Sequence, residues 1–250
     1  MKKQVYLINL DTSTERLTQA DVQLKKYDID YEKISAVDGR KLDVFKYPNY
    51  DSAQAWISMG RDLLGAEIGC YLSHVKCIEA FLASDADYGI VLEDDLQIDS
   101  DFLIVIDQAI ELLNKENLDW YLINIGSNKK KISRCIKKIE GHSLLKAYYF
   151  PVLTLGLVWS RIGAQEFLSS QKKICSPIDV TLQSWLTSNA KGLSFYPALI
   201  HPTGVESDID TPSKANSHTI NARRRVGKRY PRQKRMWLNK WAAIKNMFLN

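Results

Sequence analysis

The chain has 250 residues, 45% hydrophobic and 25% charged, enough to bury a core without staples and ordinary for a soluble globular body. Its formal charge of +5 divides unevenly: ten Lys/Arg and no acid lie from Arg223 onward, leaving 24 basic and 29 acidic residues in 1–222, about −5. Cys70, Cys77, Cys135 and Cys175 show no Cys-x-x-Cys spacing and no His cluster completes a zinc site; no apolar run reaches the length of a bilayer span.

Met1-Lys2-Lys3-Gln4 leads straight into a strand with no cleavage pattern, so a reducing, cytoplasmic setting is expected. Val5–Leu10 reads as a buried strand, followed by a helix from about Glu15 to Lys26 capped by Ser13 or Thr14. Tyr31–Val37 is a second strand closed by the turn pair Asp38-Gly39, and residues 40–64 read as irregular with short helical turns. Gly65–Ala83 carries Ile68, Leu72, Val75, Ile78 and Leu82 at helical spacing, with Cys70 and Cys77 placed on one face as small buried residues.

Gly89–Leu92 is the next strand and stops at Glu93-Asp94-Asp95. Phe102–Leu113 is an amphipathic helix, Trp120–Ile125 a strand, and residues 127–143 a polar, basic hairpin or loop. Leu153–Trp159 is a strand, and Ser160 caps a helix around Gly163–Ser169. Pro177-Ile178-Asp179 opens a helix over Val180–Ser188, and Leu193–Tyr196 is the last strand. This alternation predicts an α/β sandwich with a mostly parallel sheet over residues 1–205, a flexible connector over 206–222 and a basic amphipathic tail over 223–250.

In such sheets ligands bind at the carboxyl ends of the strands. Those ends carry Asn9 and Asp11, Asp38 and Gly39, Glu93 to Asp95, and Asn124 with Gly126. Acids there repel a bare diphosphate and suit one only with Mg²⁺ or Mn²⁺ between them. The chain has no Gly-x-x-x-x-Gly-Lys-Ser/Thr, no Gly-x-Gly-x-x-Gly after the first strand and no Gly-x-Ser-x-Gly. P-loop, nicotinamide-dehydrogenase and common serine-hydrolase chemistry are therefore disfavoured. A metal-dependent nucleotide-sugar enzyme or phosphotransferase remains.

Ile8-Asn9-Leu10-Asp11 with Glu15-Arg16, Ala36-Val37-Asp38-Gly39, Gly65–His74 and Val91–Asp95 resemble, in order and spacing, the motifs of glycosyltransferase family 25, the lipooligosaccharide galactosyltransferase group of Gram-negative bacteria. Leu155-Gly156-Leu157 with Ser160 and Gly163-Ala164 resembles a fifth, and the likeness covers roughly residues 4–204. It implies a GT-A-like, Rossmann-type sandwich, a UDP-sugar donor (most often UDP-galactose), a divalent metal and inversion at the anomeric carbon. On that pattern Glu93-x-Asp95 serves as an Asp-x-Asp element. Asp95 binds Mn²⁺ or Mg²⁺, and Glu93 or Asp94 holds ribose or a metal-bound water, in an order left open.

The resemblance also gives Asn9, Asp11, Arg16, Ala36, Asp38, Gly69, Ser73 and His74 to donor binding; Thr154 and Gly156 are candidates to line the sugar pocket, since a small residue there permits close approach. Lys76 is a further candidate for neutralising phosphate. His201, after the last strand, is the candidate second metal ligand, since neutral imidazole suits Mn²⁺. Inversion needs a general base, and Asp179 at a helix start is the candidate, ahead of Asp119 and Asp208.

Taken as a helix, Lys234–Asn250 gathers Trp237, Trp241, Ile244 and Phe248 into a stripe flanked by Lys234, Lys240 and Lys245, with Asn239 and Asn246 opposite. That pattern fits the anionic cytoplasmic face of an inner membrane; docking on the acidic body is the alternative, and nothing points to nucleic acid. The expected activity is hexosyl transfer from a UDP-sugar to lipooligosaccharide. The alternatives are a metal-dependent phospho- or nucleotidyltransferase and a non-enzymatic membrane adaptor with a nucleotide-binding fold.

Overall fold

A computed structural model describes residues 1–204 and 229–249. The expected connector, together with Arg223, Arg224, Arg225 and Lys228, lies outside those residues, as does Asp208. The first strand, β1 (Lys3–Asn9), pairs in parallel with β2 (Glu32–Ser35) on one side and β3 (Tyr88–Glu93) on the other. Beyond β3 come β8 (Gly156–Ser160), β5 (Leu122–Asn124), β9 (Gly192–Tyr196), β7 (His142–Lys146) and β6 (Arg134–Ile139), completing an eight-stranded sheet. Following the pairings across it, only β8 and β7 run against the other six strands. The expected α/β sheet of one dominant direction is present.

Period-two alternation assigns the strand side chains to two cores. Val5 and Leu7, Ile90 and Leu92, and Val158 face one side, against α1 (Thr14–Lys25) and α4 (Phe102–Lys115). Tyr6 and Ile8, Val91, and Leu157 with Trp159 face the other, against α3 (Gly65–Ala83), α5 (Arg161–Ser170) and α6 (Ile178–Asn189). Helix α3 has the expected bounds, but its buried face is wider than the apolar pattern indicates. Ser73 and His74 are buried with Ile68, Cys77 and Ile78, while Leu72 and Val75 are only partly covered.

Two segments differ from the sequence reading, and a third resolves an alternative that it leaves open. The stretch 40–64 contains an eight-residue helix, α2 (Ser52–Met59), capped by the Asp51 carboxylate, which accepts from Gln54 N at 2.9 Å, and ended by left-handed Gly60. It is too short for a helical period to register. The basic segment 127–143 is the hairpin alternative: β6 and β7 turn at Glu140-Gly141 and extend the sheet. Beside the main sheet, β4 (Leu96–Ile98) pairs antiparallel with β10 (Ile200–Pro202), three-residue runs that alternation cannot reveal. All four cysteines are free thiols; Cys77 is buried and Cys70 partly so.

The tail forms α7 (Arg229–Leu249), which lies across α2 and α6. Among the described residues no helix is long and apolar enough to cross a membrane.

Candidate active site

The carboxyl ends of β1 and β3, the Ala36–Arg40 turn and the first turns of α3 enclose one cleft. Glycines make this packing possible. A Cβ on Gly39 would lie 1.9 Å from Gly65 O, one on Gly65 2.0 Å from Gly39 O, and one on Gly69 2.5 Å from Val37 O. The Asp38-Gly39 turn therefore rests backbone-to-backbone on α3. Ser73 completes the joint: its hydroxyl accepts from Val37 N at 2.9 Å and donates to Gly69 O at 2.7 Å. Gly69 and Ser73, expected as donor contacts, thus hold the turn in place.

Each acid of the turn has its own environment. Glu93 ends β3, and its Oε1 accepts from His74 Nε2 at 3.0 Å and Thr154 Oγ1 at 2.6 Å. Burial pushes this carboxyl up, but the His74 and Thr154 hydrogen bonds and the Arg16 charge outweigh it and leave it below its ordinary value. Asp94 is ion-paired with Arg16 and accepts from Asn9 Nδ2 at 2.6 Å. Asp95 is the exception. Its Oδ1 is buried without a hydrogen-bond partner, and Arg16 Nη2 is 3.8 Å from Oδ2. Burial, then the Glu93 charge, raise its pKa to about 6.

A buried carboxylate oxygen lacking a donor, among acids that disfavour its ionisation, fits a hard divalent cation. Cys70 Sγ, His74 Nε2 and a Glu93 oxygen also lie within 4.8 Å of one another. Burial and neighbouring acids keep the Cys70 thiol protonated, and a thiol is a poor ligand for Mg²⁺ or Mn²⁺. The oxygen set around Asp95 fits the implied metal better.

Two guanidinium groups reach the cleft. Arg16 sits on Asp94, and Arg40, which the sequence reading did not select, grips Asp38 through Nε at 2.8 Å and Nη2 at 2.9 Å. Planar guanidinium groups suit phosphate recognition. Asn9 lines the cleft with its Oδ1 buried and unpartnered, and Ala36 lines it as well. Arg40 was legible two residues after Asp38. The buried pair Arg61–Glu67 beneath α3, at 2.7 and 2.6 Å, was not, because an irregular segment brings Arg61 there.

Several expected site residues stand elsewhere. Asp11 is exposed and committed to Lys33 and Ser35, since β2 brings those side chains beside it. Lys76 donates to Ser35 O at 3.2 Å. Thr154 acts behind the acids, on Glu93. Gly156 lies in the core, where an added Cβ would meet Ile200 at 2.5 Å and Ile125 at 2.7 Å, so it lines no sugar pocket.

His201 lies opposite Gln97 on the β4–β10 ribbon, with Nδ1 3.3 Å from Asn128 Nδ2 and Nε2 3.7 Å from Asp99. Its backbone neighbourhood does pass the acid turn, because Thr203 N donates to Asp95 O at 2.8 Å, but the imidazole is outside the cleft lining. Asp119 is exposed and paired with Lys191.

Asp179 opens α6 and is not part of the lining. Burial first, then Glu67 and Glu93, raise its pKa, with Arg235 of α7 opposing.

Comparisons with known proteins agree with the motifs. A family model described as "Glycosyltransferase family 25 (LPS biosynthesis protein)" matches residues 2–182. The chain is 28% identical to procollagen galactosyltransferase 1 of Danio rerio over 87% of this chain and 40% of the relative. It is 30% identical to the probable inactive glycosyltransferase 25 family member 3 of Bos taurus, over 67% of this chain and 29% of the relative. The chain thus spans about two-fifths or less of the curated relatives it matches. A glycosyltransferase involved in glycosylation of the major capsid of PBCV-1 aligns at TM-score 0.43 and 7% identity, over 83% of this chain and 95% of that one, too distant to carry weight.

Proposed function

The chain belongs to glycosyltransferase family 25, and from that membership we propose that it transfers a hexose, galactose first, from a UDP-sugar to a lipooligosaccharide hydroxyl with inversion. The observation that carries this reading is the buried, unpartnered Asp95 oxygen among the cleft's acids, in a lining that also holds Arg16 and Arg40. Galactose is supported by the procollagen galactosyltransferase relatives, and the acceptor by the family model's description as an LPS biosynthesis protein.

A divalent cation at Asp95 would offset the negative charge that builds on the UDP phosphates as the sugar departs. The chain's own residues supply the rest. Arg16 and Arg40 would donate to the diphosphate, and Asn9 and Asp38, which also line the cleft, would meet the nucleoside. His74 and Thr154 hold Glu93 ionised and oriented for ribose or a metal-bound water. Asp94, already held by Arg16 and Asn9, keeps the guanidinium in place. Asp179 is the proposed base: its raised pKa brings its proton affinity closer to neutral pH, as proton abstraction from an acceptor hydroxyl requires.

A second reading comes from the relatives named as inactive, at up to 30% identity: a chain that binds donor without turnover. A UDP-release screen across UDP-sugars, with Mn²⁺ and with EDTA, separates the two. Transfer predicts UDP release with one sugar that EDTA abolishes. Binding of a UDP-sugar without UDP release supports the second reading, release of pyrophosphate or ADP contradicts transfer, and full turnover in EDTA contradicts the metal.

A further inference from the structure

Helix α7 is built inside out. Its inner face is polar or small: Asn239 donates to Ser184 Oγ at 3.1 Å, Asn246 donates to Thr187 O at 2.9 Å, and Ala243 is fully buried between them. Arg235 donates to Ser58 O at 2.6 Å on the α2 side. The outer face carries the large apolar groups. Trp237 is 71% exposed, Trp241 70% and Phe248 80%, with Tyr230, Leu238 and Leu249 also exposed. An amphipathic helix whose only task is to cover its own protein turns its apolar face inward. Here the polar contacts fix the orientation, and the aromatic face is left outward.

We infer that this face is a docking surface for an anionic lipid bilayer. Charge selects the occupant: residues 229–249 hold six Lys/Arg and no acid, and Lys234, Lys240 and Lys245 border the aromatic stripe. Lysines beside interfacial aromatic rings match acidic headgroups above acyl chains. Symmetric pairing with a second copy of the helix would instead bring two unbalanced cationic sets together. The surface continues onto the body as an apolar groove formed by Ile132, Tyr149, Met236 and Trp237, rimmed by Lys131 and Lys240. Lys131 Nζ lies 4.2 Å from the Tyr149 ring centroid, so the groove also pairs a cation with an aromatic ring. The helix lies on the interface and does not span it.

Cosedimentation of the full chain with phosphatidylcholine vesicles, with and without phosphatidylglycerol, tests the assignment. Binding is expected only with the anionic lipid and is released by high salt. Replacing Lys234, Lys240 and Lys245 by Gln lowers partitioning about a hundredfold. Trp237→Ser with Trp241→Ser abolishes it while the melting temperature, read in parallel, stays put. Equal binding to neutral vesicles, unchanged binding by the tryptophan variant, or a dimer in light scattering that this variant dissolves would overturn the inference. Vesicle binding reads the helix alone, so its failure leaves the transfer reading untouched.

Discussion

His74 Nε2 and Glu93 Oε1 meet at 3.0 Å where α3 crosses the end of β3. The contact decides how the three acids divide their work. With Glu93 held by His74 and Thr154, and Asp94 by Arg16 and Asn9, Asp95 keeps a buried carboxylate oxygen without a partner. His74→Ala leaves the part-buried Glu93 carboxylate with one donor fewer and is expected to cost about 1–3 kcal/mol in urea unfolding. Its second effect is a drop in UDP release. A variant of unchanged stability and turnover would remove the orienting role.

The Asp38-Gly39 turn has no room for a side chain on its glycine, because Gly65 O would stand 1.9 Å from the new Cβ. Gly39→Ala must therefore move the turn off α3, at a cost at or above the ~1–3 kcal/mol of ordinary overpacking. Donor affinity should fall with it, since Asp38 and Arg40 travel with the turn. Calorimetric unfolding together with UDP titration checks both effects.

Arg61 and Glu67 form a buried bidentate pair, and Glu67 also accepts from Leu64 N at 2.8 Å to cap α3. Arg61→Ala removes the carboxylate's bidentate cation and is expected to destabilise by about 3–5 kcal/mol. Arg61→Met with Glu67→Gln removes both charges while keeping an acceptor for Leu64. Denaturant midpoints should show this double variant to be more stable than Arg61→Ala.

The pH response of Asp179 has a defined sign. Burial, Glu67 and Glu93 raise its folded-state pKa while Arg235 opposes, so the group favours folding when protonated. That contribution is full below the ordinary aspartate value and is lost as pH rises through the raised one. Asp179→Asn is therefore expected to melt higher than wild type at neutral pH, with the gap closing in acid. Loss of transfer alongside this gain marks Asp179 as the base. Retained transfer with the same melting pattern would make it a buried acid only.

Long or strongly patterned features were legible from the chain alone: the bounds of α3, the acid turn after β3, the Ser160 cap, which accepts from Gly163 N at 3.0 Å, and the opposed stripe and Asn faces of α7. Pattern cannot say which partner a polar side chain meets. Asp11 matched a motif position, yet parallel pairing of β1 with β2 delivers Lys33 and Ser35 to it. His201 is expected after the last strand, but it lies inside the short β10, and the β4–β10 ribbon turns its ring toward Asp99 and Asn128. Motif residues such as Gly69 and Ser73 can carry packing and ligand duties alike: both hold the turn against Val37, and Ser73 also lines the cleft.

The central claim is that Asp95 is the cleft's metal-holding carboxylate. Electron paramagnetic resonance of free Mn²⁺, titrated into the protein with UDP present, reads it most directly. Wild type is expected to take up Mn²⁺. Asp95→Asn should weaken that uptake on the order of a hundredfold or more, in line with a lost direct ligand, whereas His201→Ala should leave it nearly unchanged. Uptake by Asp95→Asn at the wild-type level would contradict the account.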